Sequence, residues 1–222
     1  MHKNILWAPL LALLTGCAAM AYEQPKYAVA GSSPSFELRR YAPYAVVETT
    51  VRGEFDAARN AAFRRLFAYI SGANRDQQKL DMTIPVVTES ARQKIEMTAP
   101  VLTASADSGA MLMQFVLASR FSAHTAPVPT DPAVRVREVG EQWIAARTFS
   151  GRASESNFRD NEAALLDAMR EAGVTPLGEP RFAVYNGPFT PWFLRRNEVL
   201  VPVAKRHTDV APPAAALVEE RE

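Results

Sequence analysis

The chain has few cysteine and histidine residues, the side chains on which many catalytic and metal sites depend. Its 222 residues include one cysteine and three histidines. A single cysteine excludes an internal disulfide, and it excludes thiolate metal clusters because these take several cysteine ligands. The sequence has no His-x-x-x-His pair, Gly-x-Ser-x-Gly elbow, Walker loop or Gly-x-Gly-x-x-Gly turn. We therefore predict that the protein is not an enzyme.

An excess of charge of either sign is also missing. The chain has 25 basic and 24 acidic residues, a formal net charge of +1. A nucleic-acid-binding face needs an excess of Lys and Arg, so the composition argues against DNA or RNA as a partner. Hydrophobic residues make up 48% of the chain, which is enough for one sizeable core at this length.

A long apolar run is missing too, and the N-terminus has the pattern of an export signal. Lys3 is followed by an apolar stretch at 5–14, which is too short to span a bilayer as a helix. The sequence Leu14-Thr15-Gly16-Cys17 resembles a bacterial lipobox. We predict a signal peptide at 1–16 and a lipid on Cys17, which would anchor the protein in the cell envelope. The alternative is that Cys17 is an ordinary residue of a plain signal or anchor helix.

The expected location is the periplasmic side of the outer membrane, because Ala18 after the cysteine is compatible with that sorting. We predict an unpacked tether at 17–33 and a disordered tail at 204–222. The tail contains paired prolines, an alanine run and a charged end. Between them, one globular domain would occupy residues 34–203.

The domain repeats one order of elements. Tyr44–Arg52 is β-branched and predicts a strand, Gly53 ends it, and 54–71 has helical spacing of apolar residues. In the second half a strand at 143–150 ends at Gly151, and Ser154 is the expected N-cap of a helix that Gly173 closes. Further strands are predicted at 35–41, 79–89, 93–104, 112–118, 134–139, 181–185 and 198–203. This pattern predicts an α+β fold, a largely antiparallel sheet with its two helices on one face.

One short sequence motif occurs twice in the first half. Residues 79–86 return 15 residues later as 94–101, and both copies contain Met-Thr-x-Pro-Val. With the segments at 36–41, 67–74, 127–132 and 195–199, in this order, the chain resembles the SOUL haem-binding family. The resemblance implies duplicated ferredoxin-like halves that form a distorted antiparallel β-barrel with two helices. It also implies a reversibly bound haem or related porphyrin, held in an apolar cleft.

The resemblance places the porphyrin between the first helix and a late loop, and both segments have surplus aromatic residues. Phe63 and Phe67 lie at the edge of the apolar arc of the first helix, with Asn60 beside them. The late loop has three aromatic residues close to two prolines, followed by two arginines. The predicted binding residues are Asn60, Phe63, Phe67, Phe189, Trp192, Phe193 and Arg195. The alternative is that these aromatics cap the ends of the barrel and bind nothing.

An axial ligand for iron is not evident. Some family members have a histidine where this chain has Arg40, and arginine stays protonated and cannot ligate iron. His124 and His207 fall in a loop and in the tail, where a ligand is hard to orient. A structural role is a more economical explanation than iron ligation for Met82, Met97 and the tyrosines at 41, 44, 69 and 185. We therefore predict binding without a firm axial ligand and no metal site.

Two other functions stay open. The domain could be a ligand-free interaction module of the cell envelope that uses the aromatic loop on a protein partner. It could also be an enzyme acting on a tetrapyrrole or other apolar small molecule, with Glu48 or Glu198 as the acid. We expect both carboxylates to lie in strands and to form structural ion pairs with arginine.

Overall fold

The structure is a computed structural model that describes residues 23–90, 110–187 and 189–205. Several of the predicted features lie outside these residues: Cys17, the second Met-Thr-x-Pro-Val copy, the strand predicted at 93–104, His207 and most of the predicted tail. The helices are α1 (Phe55–Ile70) and α2 (Glu155–Glu171), and Trp192–Leu194 forms one turn of 3₁₀ helix. The strands are β1 (Tyr27–Ser32), β2 (Glu37–Tyr41), β3 (Tyr44–Arg52), β4 (Val86–Ser90), β5 (Ala110–Val116), β6 (Val134–Val139), β7 (Gln142–Phe149), β8 (Arg181–Val184) and β9 (Asn197–Val203).

The nine strands form one curled antiparallel sheet in the order β1-β2-β7-β9-β8-β4-β5-β3-β6. Without β1, the order is β2-β7-β9-β8 from one end and β6-β3-β5-β4 from the other. The two series correspond strand by strand, with β3, β4, β5 and β6 equivalent to β7, β8, β9 and β2. The halves β3-α1-β4-β5 and β7-α2-β8-β9 meet where β4 pairs with β8. The prediction of an α+β fold made of duplicated halves is therefore confirmed.

The two helices cover the same face of this sheet. Val86 pairs with Val184, and these residues pack against the α1 core and the α2 core respectively. Directly opposed residues of antiparallel strands share a face, so both helices lie on that side. The next pair, Val87 and Ala183, packs in a third apolar cluster on the opposite face. This opposite face is called the inner face below.

Both helices form for reasons that are visible in the sequence. The buried residues of α1 recur at helical spacing: Ala58, Ala62, Leu66, Tyr69 and Ile70. Helix α2 begins where predicted, because the Ser154 hydroxyl accepts a hydrogen bond from the amide of Asn157 at 3.4 Å. Its core is aromatic, with the Phe158 ring stacked on Phe182 at 4.6 Å between ring centroids.

The structure contradicts part of the predicted tether. Residues 27–32 are not unpacked, because they form strand β1 on the edge of the sheet beside β2. The segment is almost wholly exposed and is rich in alanine and glycine, so it lacks the alternation that predicts a strand. Pairing with a distant segment, rather than local propensity, makes it a strand.

The first Met-Thr-x-Pro-Val copy lies mostly outside the strand that the sequence predicted for it. The strand predicted at 79–89 begins only at Val86, so side chains before it do not alternate between two faces. Met82 packs against the α1 core, whereas Ile84, two residues further on, packs on the inner face, although regular alternation in a strand would put both on one side. The hydroxyl of Thr83 instead donates to the carbonyl of Val116. None of the described helices is long and apolar enough to cross a membrane.

Candidate functional site

Four of the nine exposed large apolar side chains of the described residues belong to one connection, which we call the aromatic loop (residues 186–196, of which 188 lies outside the described part). Phe189 is 98% exposed, and Trp192 and Phe193 are 53% and 57% exposed. The ring of Trp192 meets that of Phe193 edge to face, with 5.6 Å between centroids. Exposed apolar residues occur singly on most surfaces, but several in one loop mark a binding surface.

A cleft of about 570 Å³ lies between the aromatic loop and the beginnings of both helices. This volume falls in the range of small-molecule sites, roughly 300–1,000 Å³. The cleft is shallow and widely open to solvent. Its lining residues are Asp56, Arg59, Arg152, Ala153, Ser154, Phe189, Thr190, Pro191, Trp192 and Arg195.

Three guanidinium groups and one carboxylate give this cleft an excess of positive charge. Arg59 contacts Asp56 at 3.3 Å between nitrogen and oxygen, and it donates to the carbonyl of Ala153. Arg195 donates from Nε to the carbonyl of Thr190 at 2.8 Å, which braces the aromatic loop from within. Arg152 is exposed beside them. A ligand with carboxylate groups would meet several N–H donors here.

The predicted binding residues fall into two groups in the structure. Phe189, Trp192 and Arg195 line the cleft, and Phe193 packs against Trp192 outside the lining. Asn60, Phe63 and Phe67 do not line it, because the loop meets α1 at Asp56 and Arg59 rather than further along.

The helix group forms an aromatic surface of its own. The rings of Phe63 and Phe67 stack with 5.9 Å between centroids, and Phe67 is 48% exposed. Phe63 is anchored by an edge contact to Phe115 in the core, 5.3 Å between centroids. This agrees with the expectation that Phe63 and Phe67 lie between core and surface. Whether either group binds a ligand stays a prediction.

Sequence reasoning missed Arg59 and Arg152. Arg59 lies on α1 three residues after Asp56, and Arg152 directly follows the strand-ending Gly151. No local pattern distinguishes them from other surface arginines. Only the approach of the loop to both helices brings them to one cleft.

Beneath the base of the aromatic loop lies a buried polar cluster centred on Glu198, which is fully buried on the inner face. Its carboxylate accepts two hydrogen bonds from Arg39, at 2.9 and 3.1 Å, and two from Arg196, at 2.7 and 3.1 Å. Tyr185 donates its hydroxyl at 2.5 Å and Thr148 donates at 3.0 Å. Because each carboxylate oxygen has at least two donors, the buried charge is fully compensated.

The protonation states in this cluster are fixed by its neighbours. Burial alone would raise the pKa of Glu198, but hydrogen bonds from Arg39 and Tyr185 outweigh it and hold that pKa below the ordinary glutamate value. Burial raises the pKa of the Tyr185 hydroxyl, and the adjacent carboxylate raises it further. The cluster is therefore a carboxylate, two guanidinium ions and a neutral phenol at neutral pH.

This cluster explains two of the sequence segments that carried the resemblance. The opening segment supplies Glu37, Arg39 and Tyr41, and the late segment supplies Arg196 and Glu198. Arg39 also contacts Glu37 at 2.8 Å and donates to the Tyr41 hydroxyl at 3.4 Å. The expected ion pair of Glu198 is present, and its pairing gives no free carboxylate for acid or base catalysis.

The other titratable candidates have structural contacts as well. Glu48 accepts from Gln114 at 2.8 Å and from Arg137 at 3.2 Å. The Tyr69 hydroxyl donates to the carbonyl of Pro127 at 2.8 Å, and the Tyr44 hydroxyl accepts from a side-chain amide. These contacts agree with the structural roles expected for the tyrosines and for Glu48.

Comparison with known proteins assigns the family. The model of the SOUL heme-binding protein family matches residues 22–94 and 88–202, so the chain belongs to this family. Human heme-binding protein 2 is 26% identical over 194 residues, 82% of this chain and 90% of that protein. Heme-binding protein 1 of Xenopus tropicalis is 28% identical over 166 residues, 74% of this chain and 82% of that protein.

Solved structures show the same fold in more distant proteins. The C-terminal domain of EcmrR superposes with a TM-score of 0.57 at 11% identity, over 81% of this chain and 99% of that one. A hydrolase from Listeria innocua superposes with a TM-score of 0.55 at 10% identity, over 79% and 94%. At these identities the likeness concerns the fold alone.

Proposed function

We propose that the domain binds haem or another tetrapyrrole reversibly in the cleft between the aromatic loop and the start of α1. The observation that carries the proposal is the pairing of exposed aromatic rings with three arginines at one cleft, in a chain of the SOUL heme-binding family.

The chemistry of the cleft suits a porphyrin. A porphyrin is a flat apolar disc with carboxylate side chains, and such a disc stacks on indole and phenyl rings. Trp192 and Phe189 supply these rings, and Phe193 supports the indole from the side. Arg59, Arg152 and Arg195 supply charge-assisted donors for the carboxylates.

Binding would not depend on the metal. Haem iron in proteins is held by His, Cys, Met or Tyr side chains, and none of the described lining residues is of these types. We therefore expect metal-free protoporphyrin to bind about as tightly as hemin. Affinity would come from stacking and from the arginines, which fits reversible binding for storage or transfer.

The aromatic surface of α1 extends this site. At 1.5 Å per residue, Phe63 lies about 10 Å along the helix from Asp56. A disc that rests on Trp192 and lies along α1 would approach Asn60 and Phe63, whereas one that stays over the arginines would not. Substitutions in the two groups therefore measure how the ligand lies.

The test is a titration of the full chain with hemin, metal-free protoporphyrin and protoporphyrin dimethyl ester. We expect one saturable site, about tenfold weaker binding for Trp192→Ala and for Arg152→Gln, and weak binding of the uncharged ester. Leu177→Ala and Arg135→Gln are matched controls, since both residues are exposed and outside the cleft lining. Phe67→Ala reports on the helix group separately.

Several results would contradict this proposal. Equal affinities for wild type and Trp192→Ala would show that the porphyrin does not bind in this cleft. Tight binding of the diester would remove the role of the arginines. A large preference for hemin over the metal-free porphyrin would mean that an iron ligand exists.

We further propose that the protein is an envelope lipoprotein, with a lipid on Cys17 and the domain on the periplasmic side of the outer membrane. The support is the lipobox-like sequence before Cys17. Metabolic labelling with a radioactive fatty acid tests it, with Cys17→Ser as the control. Equal labelling of the two chains, or none, would contradict the proposal.

The exposed aromatic loop also supports a second candidate, a protein-interaction module without a small ligand. Phe189, Trp192, Phe193 and Leu194 are each more than half exposed, as is usual for residues that become buried on binding. This function predicts no spectral change with hemin. It also predicts an envelope protein that co-purifies with wild type and is lost with Trp192→Ala.

A further inference from the structure

The aromatic loop poses a physical problem, because its large side chains face solvent. Phe189, Trp192, Phe193 and Leu194 are 98%, 53%, 57% and 65% exposed, so burial of these side chains does little to hold the loop in one conformation. A segment with few buried apolar contacts opens easily unless other interactions restrain it. Polar contacts at its base supply that restraint.

The base of the loop is tied at two levels. The amide of Arg196 donates to the side-chain oxygen of Asn186 at 2.6 Å, and the amide of Tyr185 donates to the carbonyl of Arg196 at 3.2 Å. Beside them, the amide of Gly151 donates to the carbonyl of Trp192 at 3.0 Å. The Gly151 carbonyl accepts from the side chain of Asn197 at 3.1 Å.

The strongest tie is the side chain of Arg196. It turns inward, places its guanidinium 4.1 Å from the centroid of the Tyr185 ring, and donates twice to one oxygen of Glu198. Glu198 is in turn held by Arg39 on β2 and by Thr148 on β7. The last residue of the loop is thereby fixed to the interior of the sheet.

We propose that Arg196 is a positioning residue, and that its pairing with the buried Glu198 holds the aromatic loop in the conformation that presents Trp192 and Arg195 to the cleft. The part of this inference that concerns affinity rests on the proposed porphyrin binding. The part that concerns loop order does not. If the loop is ordered before the ligand binds, the entropy of ordering it does not reduce the free energy of binding.

Loss of Arg196 should disturb the loop more than the fold. Glu198 has six hydrogen bonds, two from Arg196, two from Arg39 and one each from Tyr185 and Thr148. Without Arg196, four of the six remain, and two of these come from the charged Arg39. Arg196→Gln is therefore the informative variant, and Arg196→Lys is the conservative one because it keeps the positive charge.

The experiment measures loop order and affinity on the same full-length chains. Chymotrypsin cleaves after aromatic residues, so the rate of cleavage at Phe189, Trp192 and Phe193, located by mass spectrometry, reports how often the loop opens. We expect about tenfold faster loop cleavage for Arg196→Gln, partial restoration by Arg196→Lys, and a melting temperature close to that of wild type. Apparent affinity scales with the fraction of molecules whose loop is ordered, so hemin affinity should fall by the factor by which that fraction falls. Cleavage rates relative to those of a free peptide of residues 186–196 give this fraction.

The cleavage rates test the positioning role of Arg196, and the hemin affinities test its link to binding. Unchanged loop cleavage in Arg196→Gln overturns the positioning role, whatever the ligand does. A hemin affinity that does not follow the ordered fraction given by the cleavage rates overturns the link between loop order and binding. If both variants fail to fold, Arg196 is a residue of the core and the inference is wrong. If wild type binds no porphyrin, the proposed function fails, and the cleavage rates still test the positioning of the loop.

Discussion

The substitution Glu198→Gln tests the physical account of the buried cluster most directly. The Glu198 and Arg39 side chains are 0% and 3% exposed, so neither charge can turn to water when the other is lost. Glutamine keeps the shape but accepts through one oxygen only. If that oxygen takes the position that now accepts four hydrogen bonds, the amide nitrogen faces the Arg39 Nη1 donor at 2.9 Å. Arg39 Nη1 then keeps only its longer contact with the Tyr41 hydroxyl, at 3.4 Å.

Breaking a buried ion pair by removing one partner costs roughly 3–5 kcal/mol. For a chain of this length each kcal/mol lowers the melting temperature by about 2–4 °C, so we expect a drop of about 6–20 °C. Glu48→Gln is the matched control. Glu48 is also a strand glutamate paired with arginine, but the two side chains are 17% and 49% exposed, and the expected loss is below about 1 kcal/mol.

The same variant makes a prediction about pH. The pKa of Glu198 is lower in the folded chain than in the unfolded chain, where it is about 4.3. Its stabilisation is therefore complete at neutral pH and is lost as the pH falls below about 4.3 toward the folded-state pKa. Urea denaturation followed by circular dichroism at neutral and acid pH measures both effects. A difference below about 1 kcal/mol at pH 7, or one that does not shrink in acid, would refute the reasoning.

Three further predictions concern the core, a helix end and the tyrosines. Phe158→Ala should lower the free energy of unfolding by about 3–5 kcal/mol in urea, because the ring is 1% exposed and stacks on Phe182; a loss under about 1 kcal/mol would contradict that packing. Ser154→Ala should cost about 1 kcal/mol by the same measurement, with Ser156→Ala as the control, because only Ser154 caps the Asn157 amide. Burial raises the pKa of both Tyr41 and Tyr69 to about 12, so the fold favours their neutral forms. That stabilisation is complete below about pH 10 and is lost as the pH rises through the folded values, so phenolate absorbance should show these two tyrosines ionising late; normal titration of all tyrosines in the folded chain would be the contrary result.

The elements that sequence analysis placed correctly are those with a local signal. Strand β3 and strand β6 have the predicted bounds, and α2 starts after the Ser154 cap. Alternation, helical spacing and a capping hydroxyl each depend on residues within a few positions of one another, so the chain displays them before it folds. The duplicated order of elements was visible for the same reason.

The elements that it misplaced have no such signal. Strand β1 exists because β2 is beside it, and the segment before Val86 leaves the strand pattern where a proline lacks the N–H that a ladder needs. The cleft was foreseen only in part. The aromatic loop stands out in the sequence, but Arg59 and Arg152 join it from segments far apart in the chain.

Local patterns in the chain are enough to predict the helices, most strands, the α+β class and the aromatic loop, because periodicity, turn residues and composition are local properties. The surroundings of each functional side chain depend instead on contacts between segments that are far apart in the chain. Arg39 and Glu198 are 159 positions apart, and no spacing rule joins them. Their pairing depends on how β2, β7 and β9 lie side by side in the sheet, and on burial that makes a guanidinium the necessary partner of a carboxylate.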